Sequence, residues 1–260
     1  MLLFIRCYAS EGHLCSLVGG VDAKTFRKWI WFYLDGVSSL APSIVSKPTV
    51  IRLPRVLLLC LPSFLLQKIK LENRFKDDIG NKALMTVDGT DFRIKEPHPY
   101  SKEANKVWYS FKFKGPGLRY EVGICIRTGD IVWFNGPFPA SFHDLTIFRL
   151  NLKALIPPHE KVLGDSGYEG DNRVFTAKDR VSKANGRVMG IARARHETVN
   201  GLFKDWQCLK QVWRHDRNKH VLAFRTVVVI TQLGFNAGNR PFQVRNYVHL
   251  YQQGQVTLQT

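Results

Sequence analysis

The stretch Met85-Thr-Val-Asp-Gly-Thr-Asp-Phe-Arg-Ile94 decides how the rest of the chain is read. Residues 83–87 form an apolar approach that reads as a strand stopping on Asp88-Gly89, with a second acid, Asp91, three residues on. A strand ending this way holds a carboxylate at the end of a sheet, where it faces a ligand instead of the core. Asp-Gly is also a common turn dipeptide, so taken alone the stretch also reads as a strand running into a turn.

Downstream, residues 107–114, 118–127 and 130–134 are expected strands. Val107, Tyr109, Phe111 and Phe113 alternate with Trp108, Ser110, Lys112 and Lys114, and Gly115-Pro-Gly117 and Thr128-Gly-Asp130 supply turns for an antiparallel meander. A helix is expected over 143–156, stopped by Pro157-Pro158, with Asp144 as its N-cap. A short strand over 161–164 then runs into Asp165-Ser-Gly-Tyr168, again an apolar run ending in an acid closely followed by glycine. Helices are expected over 192–206 and 221–235.

Upstream, residues 22–40 read as a helix, with Phe26, Trp29, Ile30, Tyr33 and Leu34 at helical spacing and Asp22 as N-cap. Arg6 interrupts the apolar start, so no signal peptide is expected. Residues 47–70 are largely apolar, but Arg52, Pro54, Arg55 and Pro62 argue against a membrane span.

The composition belongs to a folded protein, with 45% apolar and 12% aromatic residues in 260. Lys and Arg number 38 against 21 Asp and Glu, a net charge of +17, and an excess of this size favours a polyanionic partner, nucleic acid first. From Lys178 to Arg195 there are six Lys and Arg and one acid, Asp179. The five cysteines are scattered and form no C-x-x-C pair, which fits buried thiols in a reducing compartment and excludes the usual zinc spacing.

Phosphodiester chemistry needs two or three carboxylates that hold divalent cations. Asp88 and Asp165 supply two. Glu197 is the third candidate, on the polar side of a helix whose apolar side carries Val199, Leu202, Phe203 and Trp206; that placement also reads as an ordinary solvated face. Asp91 supports Asp88 or is a solvated turn acid, the reading its turn preference favours, and His196 beside Glu197 tunes the site, contacts phosphate or lies on the surface.

Five segments in order, Val87-Asp-Gly-Thr-Asp91, Phe113-Lys-Gly-Pro-Gly-Leu-Arg-Tyr-Glu121, Asp130-Ile-Val-Trp-Phe-Asn-Gly-Pro137, Gly164-Asp-Ser-Gly-Tyr168 and Ala192-Arg-Ala-Arg-His-Glu-Thr-Val-Asn200, resemble the DDE transposase domain of the PIF/Harbinger superfamily. The resemblance implies an α/β, ribonuclease H-like mixed sheet flanked by helices, preceded by a truncated helical N-terminal region. It divides the chain into a partial helix-turn-helix-like region over 1–45, of which only the last helix is expected, an atypical insert over 46–72, a nuclease domain over 73–244 and a tail over 245–260. Asp88, Asp165 and Glu197 match the family's metal-binding triad, implying Mg²⁺ or Mn²⁺, two ions, and a DNA endonuclease or transposase. A domesticated, non-catalytic DNA-binding protein is the alternative. DNA is the expected partner, contacted by Arg193, Arg195 and Lys204, together with a Myb-like DNA-binding protein and a second copy in a homodimer. No membrane association is expected, and the nucleus is the implied location.

Overall fold

The computed structural model describes residues 1–41, 83–98, 101–158, 160–180 and 183–244. The expected insert over 46–72, the start of the expected nuclease domain over 73–82 and the expected tail over 245–260 lie outside the described residues, as does Cys60.

The described strands are β1 (Ala83–Arg93), β2 (Tyr109–Ser110), β3 (Gly115–Cys125), β4 (Ile131–Pro139), β5 (Lys161–Leu163) and β6 (Val174–Phe175). They form one mixed sheet in which β1 lies between β3 and β5, β6 pairs with β5, and both β2 and β4 pair with β3. The β1–β3 and β3–β4 ladders are antiparallel, while β1, β5 and β6 run parallel. Three antiparallel strands followed by two parallel ones, with helices on both faces, make a mixed α/β protein consistent with the ribonuclease H-like fold.

Side-chain alternation assigns the two faces of β1. Met85 and Val87 join Cys125, Trp133, Phe148, Leu152 and Tyr168 in one cluster, under the helix α5 (Asp144–Leu150). Phe92 points the other way and joins Tyr120, Val122, Val199, Phe203 and Phe224, beneath α7 (Lys183–Lys204) and, beyond the short α8 (Gln207–Lys210), α9 (His220–Asn236). A strand covered on both faces is apolar at nearly every position, which is why residues 83–87 stand out in the sequence.

Four expected boundaries move. β1 does not stop at Asp88-Gly89, because its ladder with β3 continues from Met85↔Cys125 to Arg93↔Gly117, and pairing overrides the local turn preference. Residues 107–114 are not a long strand: a short helix α4 (Lys102–Lys106) precedes the two-residue β2, and residues 111–114 form a turn in which Lys114 takes a left-handed φ of 52°. The expected helix over 143–156 is two helices, α5 and α6 (Leu152–Leu155), broken where Asn151 leaves helical geometry at φ −130° and ψ −77°. α7 also starts earlier than expected, at Lys183, because Val188, Met189 and Ala192 pack against Ala83, Ile126 and Leu163.

Among the described residues the N-terminal region includes α1 (Leu2–Cys7), α2 (Glu11–Leu17) and α3 (Ala23–Ser38), where one helix is expected. Asp22 caps α3 as its sequence indicates, accepting from the Lys24 and Thr25 N–H groups at 3.0 Å each. Phe26, Ile30 and Leu34 of α3 share a continuous core with Phe224, Val227 and Val228 of α9, and Tyr8 stacks on Trp213 at 5.6 Å. Cys15, Cys125 and Cys208 are buried free thiols, and Cys7 is exposed. Among the described residues no helix is long and apolar enough to cross a membrane.

Candidate active site

The parallel register of β1 and β5 brings two acids together. Its last pair is Thr86↔Leu163, and Asp88 and Asp165 each follow two residues later, so both project on the same side beyond the point where the pairing ends. Asp88 Oδ1 accepts the Gly89 N–H at 2.8 Å, and Asp165 Oδ1 accepts the Gly167 N–H at 2.8 Å as it caps a 3₁₀ turn, Ser166–Tyr168.

α7 is held in step with β1 by two hydrogen bonds. His196 Nδ1 meets Thr86 Oγ1 at 2.8 Å, and Asn200 Nδ2 donates to Asp88 Oδ2 at 2.9 Å. Four residues of helix rise about 6.0 Å and two residues of strand about 6.6 Å, so the spacing His196 to Asn200 matches Thr86 to Asp88. The match sets Glu197, next to His196 and exposed, over the same cleft as Asp88 and Asp165, which Arg193, Gly190 and Ala194 also line.

Crowded carboxylates define the electrostatics. The Asp88 carboxyl is pushed up to about 7, mainly by burial, with Glu197, Asp165 and Asp144 adding to the rise and Lys112 opposing it. Three acids with oxygen ligands on three elements are a donor set suited in kind to Mg²⁺ or Mn²⁺, and Asn200 Oδ1, buried without a partner beside Asp88, adds a further oxygen. Among the described residues, however, no three His, Cys, Asp or Glu side chains stand close enough to grip an ion as placed.

A second set of charges lies on the opposite face of β1. Asp91 is 4% exposed, not a solvated turn acid. Arg119, its cross-strand partner, donates through Nε and Nη2 to its two oxygens at 2.7 and 3.0 Å, and Ser110 Oγ adds a bond at 2.6 Å. Arg119 Nη1 also donates to the Phe142 carbonyl at 2.7 Å and to Asp144 Oδ1 at 3.2 Å. Asp144 is therefore not the N-cap of α5. His143 holds that position, without a side-chain cap bond, and the Asp144 carboxylate turns inward, its pKa raised chiefly by burial. A Cβ on Gly89 would lie 2.0 Å from Asp144 Oδ1, and one on Gly167 would lie 3.0 Å from both Asp144 Oδ2 and Asp165 Oδ1. The glycines that follow Asp88 and Asp165 leave room for this carboxylate. Lys112 Nζ donates to the Gly89 carbonyl at 3.0 Å, next to Asp88.

The remaining expected residues divide. Arg193 is half-buried at the cleft and Lys204 is exposed. Arg195 is not on that surface: it is 1% exposed, and its Nη2 donates to the Cys125 and Ile126 carbonyls at the end of β3, at 2.8 and 2.5 Å. His196 is likewise no surface residue but is 2% exposed, pushed down to about 3 by burial and the Arg195 charge, and therefore neutral. The parts that Asn200, Thr86, Asp144, Lys112 and Arg119 play at the site are not expected from the sequence, in which Asp144 reads as an N-cap. The only available signal was the pairing of a four-residue spacing on α7 with a two-residue spacing on β1.

A mixed sheet carrying paired acids past the end of its parallel pairing, with a third acid on a later helix, defines a nuclease-like protein. Residues 87–232, more than half of the chain, match the DDE superfamily endonuclease family, and the chain belongs to it. The family implies nuclease chemistry on DNA and, in general, divalent metal ions. No curated protein and no solved structure matches the chain.

Proposed function

We propose that the chain is a metal-dependent DNA endonuclease and transposase of the PIF/Harbinger type, with Asp88, Asp165 and Glu197 as ligands for two Mg²⁺ or Mn²⁺ ions. The observation that carries this reading is the shared cleft of these acids, produced by the Thr86↔Leu163 register and by the bonds from α7 to β1. When bound, the ions supply Lewis acidity that lowers the pKa of an attacking water and neutralises charge on the leaving oxygen.

The chain's own residues do the positioning. Asn200 fixes one Asp88 oxygen and leaves the other on the Gly89 N–H, and the His196–Thr86 bond locks Glu197 over the cleft. The Asp91–Arg119–Asp144 chain, packed against Gly89 and Gly167, holds the segments after both aspartates at a constant separation. Arg193 at the cleft and Lys112 beside Asp88 are the cations placed to meet a phosphodiester. In hydrolysis the water oxygen bonds to phosphorus as the bond to the 3′ oxygen breaks, and that oxygen takes a proton to become a 3′-hydroxyl. In strand transfer this hydroxyl attacks a second phosphodiester, one P–O bond forming as another breaks.

Arg193, Lys204 and the basic run from Lys178 form the proposed DNA-contacting surface, without Arg195. A Myb-like partner, a homodimer and a nuclear location rest on the resemblance. Plasmid nicking in Mg²⁺ or Mn²⁺ tests the reading: Asp165→Ala is expected to lower the rate by about 10²–10³-fold or more. Wild-type protein that binds DNA but nicks no better than Asp165→Ala supports the alternative, a domesticated DNA-binding protein without turnover.

A further inference from the structure

Phe111 is 80% exposed, the most exposed large apolar side chain among the described residues. It sits at the tip of a turn whose other members are tied down. Phe113 folds over Gly117, where an added Cβ would meet its ring at 2.6 Å, and Arg93 lies over its face at 5.1 Å. Lys112 reaches the Gly89 carbonyl at 3.0 Å, and Lys114 takes the left-handed conformation that closes the turn. Tyr109 meets the Phe111 ring edge-on at 5.3 Å and 85°, supporting it from behind. The turn is thus anchored on the residue after Asp88, and it holds one aromatic face out into solvent.

The surroundings say what fits that face. No acid occurs in the sequence between Glu103 and Glu121, and Lys112 and Lys114, within three residues of Phe111 along the chain, are exposed. An exposed ring flanked by cations beside a phosphodiester-cleaving cleft has the make-up of a single-strand stacking platform, where the lysines take phosphates and the ring takes a base. In closed duplex each base already stacks on its neighbours, so the ring is matched only by a base that is unpaired.

We propose that Phe111 stacks on an unpaired nucleotide flanking the phosphodiester at the Asp88 cleft, and that the protein therefore prefers DNA that is frayed, nicked or overhanging there. The inference rests on the DNA endonuclease reading and adds the substrate form. It is tested on the full chain in the Asp165→Asn background, which separates binding from cleavage. Fluorescence anisotropy compares a duplex carrying a three-nucleotide overhang, with 2-aminopurine in the overhang, against a blunt duplex of the same sequence.

The overhang is expected to bind more tightly and its 2-aminopurine to be quenched. Phe111→Ala is expected to weaken overhang binding roughly 5- to 150-fold, the range found for loss of one aromatic–base stack, and to leave blunt binding unchanged, whereas Phe111→Trp retains both signals. Equal effects of Phe111→Ala on both duplexes, or none on either, overturn the stacking proposal and leave the endonuclease reading standing. Failure of both duplexes to bind overturns the reading itself. Conversion of a dimer to a monomer by Phe111→Ala, with overhang binding intact, assigns the ring to a second copy of the chain and also overturns the proposal.

Discussion

Asp88 and Asp91 stand three residues apart on one strand, and the fold treats them in opposite ways. Asp91 faces α5, and its register partner is Arg119, so both its oxygens are engaged by a guanidinium and one also by Ser110. Asp88 faces α7, and its register partner is Val122. Among the described residues it receives two neutral N–H donors and no direct bond from a cation, and its surroundings hold Glu197, Asp165 and Asp144 with the Lys112 charge opposing them. An acid with a cation opposite it in the ladder is part of the scaffold. An acid with an apolar residue opposite, placed where the parallel neighbour has ended, is left available for a ligand.

The buried pair carries the largest expected effect. Removing one partner leaves an uncompensated charge, so Asp91→Ala or Arg119→Ala is expected to cost about 3–5 kcal/mol in urea unfolding. The double variant Asp91→Leu with Arg119→Met recovers much of that loss, because it removes both charges together. A cost under about 1 kcal/mol for Asp91→Ala would mean that the pair is no more than a surface contact.

A third acid on the α5 face sharpens the contrast. Glu121 pairs across the ladder with Gly89, is fully buried, and accepts the Trp133 indole N–H at 3.0 Å. Burial pushes its carboxyl up from 4.5 to about 8, with Asp144 adding to the rise and Trp133 and Tyr168 opposing it. Because the folded pKa lies above the unfolded one, the native state binds more protons between these values. Its stabilising contribution is full below 4.5 and is lost as pH rises to about 8. His196 and His220, both pushed down to about 3 from 6.5, act in the opposite sense and lower stability only as pH falls below 6.5. Unfolding midpoints above that value therefore leave both imidazoles out of the comparison, and the Met1 amino group, lowered from 8.0 by burial, acts against the carboxyls there. Glu121→Gln is expected to flatten the decline towards pH 8, an effect on the order of 2–3 kcal/mol. Asp88, pushed up to about 7, shares its sign and retains part of the slope.

Much of this arrangement is legible in the sequence, and what is not has a physical cause. Residues 83–87 and the acids at 88 and 165 announce themselves because a strand covered on both faces is almost continuously apolar. The passage of β1 through Asp88-Gly89 is hidden, since it depends on pairing with β3, 24 to 40 positions further along the chain. Arg195 looks like part of a basic surface until the β3 terminus is placed beneath it, where two carbonyls need a donor. Residues 107–114 alternate as a strand does, yet Phe113 folds back over Gly117, so one of the alternating aromatics points away from the pleat. Asp144 has the local signature of a cap, and only the space left by two glycines reveals its position.

That space supplies the next test. Gly89→Ala drives a methyl into Asp144 Oδ1, which Arg119 holds at 3.2 Å, and overpacking of this kind costs about 1–3 kcal/mol. In an Asp144→Ala background the same change is expected to cost much less, since the obstructing oxygen is gone. Equal costs in the two backgrounds, measured as a double-mutant cycle in urea, would place the strain elsewhere.

The smallest effect is expected at Asp88. Asp88→Asn preserves the side-chain shape and one of the two N–H acceptor contacts, and it removes a charge from a cluster of acids. The lost hydrogen bond and the relieved repulsion largely offset each other, so metal-free stability is expected to stay within about 1 kcal/mol of wild type, on the stabilised side. The distinguishing measurement is the response to divalent ions. A ligand that binds only the native state raises the unfolding midpoint in proportion to RT ln(1 + [L]/Kd), so Mg²⁺ or Mn²⁺ is expected to stabilise wild type and to have a smaller effect on Asp88→Asn. Asp91→Asn, though less stable throughout, is expected to keep the full metal increment if its partners still hold Asp144 in place. Were Asp88→Asn instead to lose several kcal/mol without metal, as Asp91→Ala is expected to, the two aspartates would share one structural role, and the assignment of Asp88 to a ligand would have to be given up.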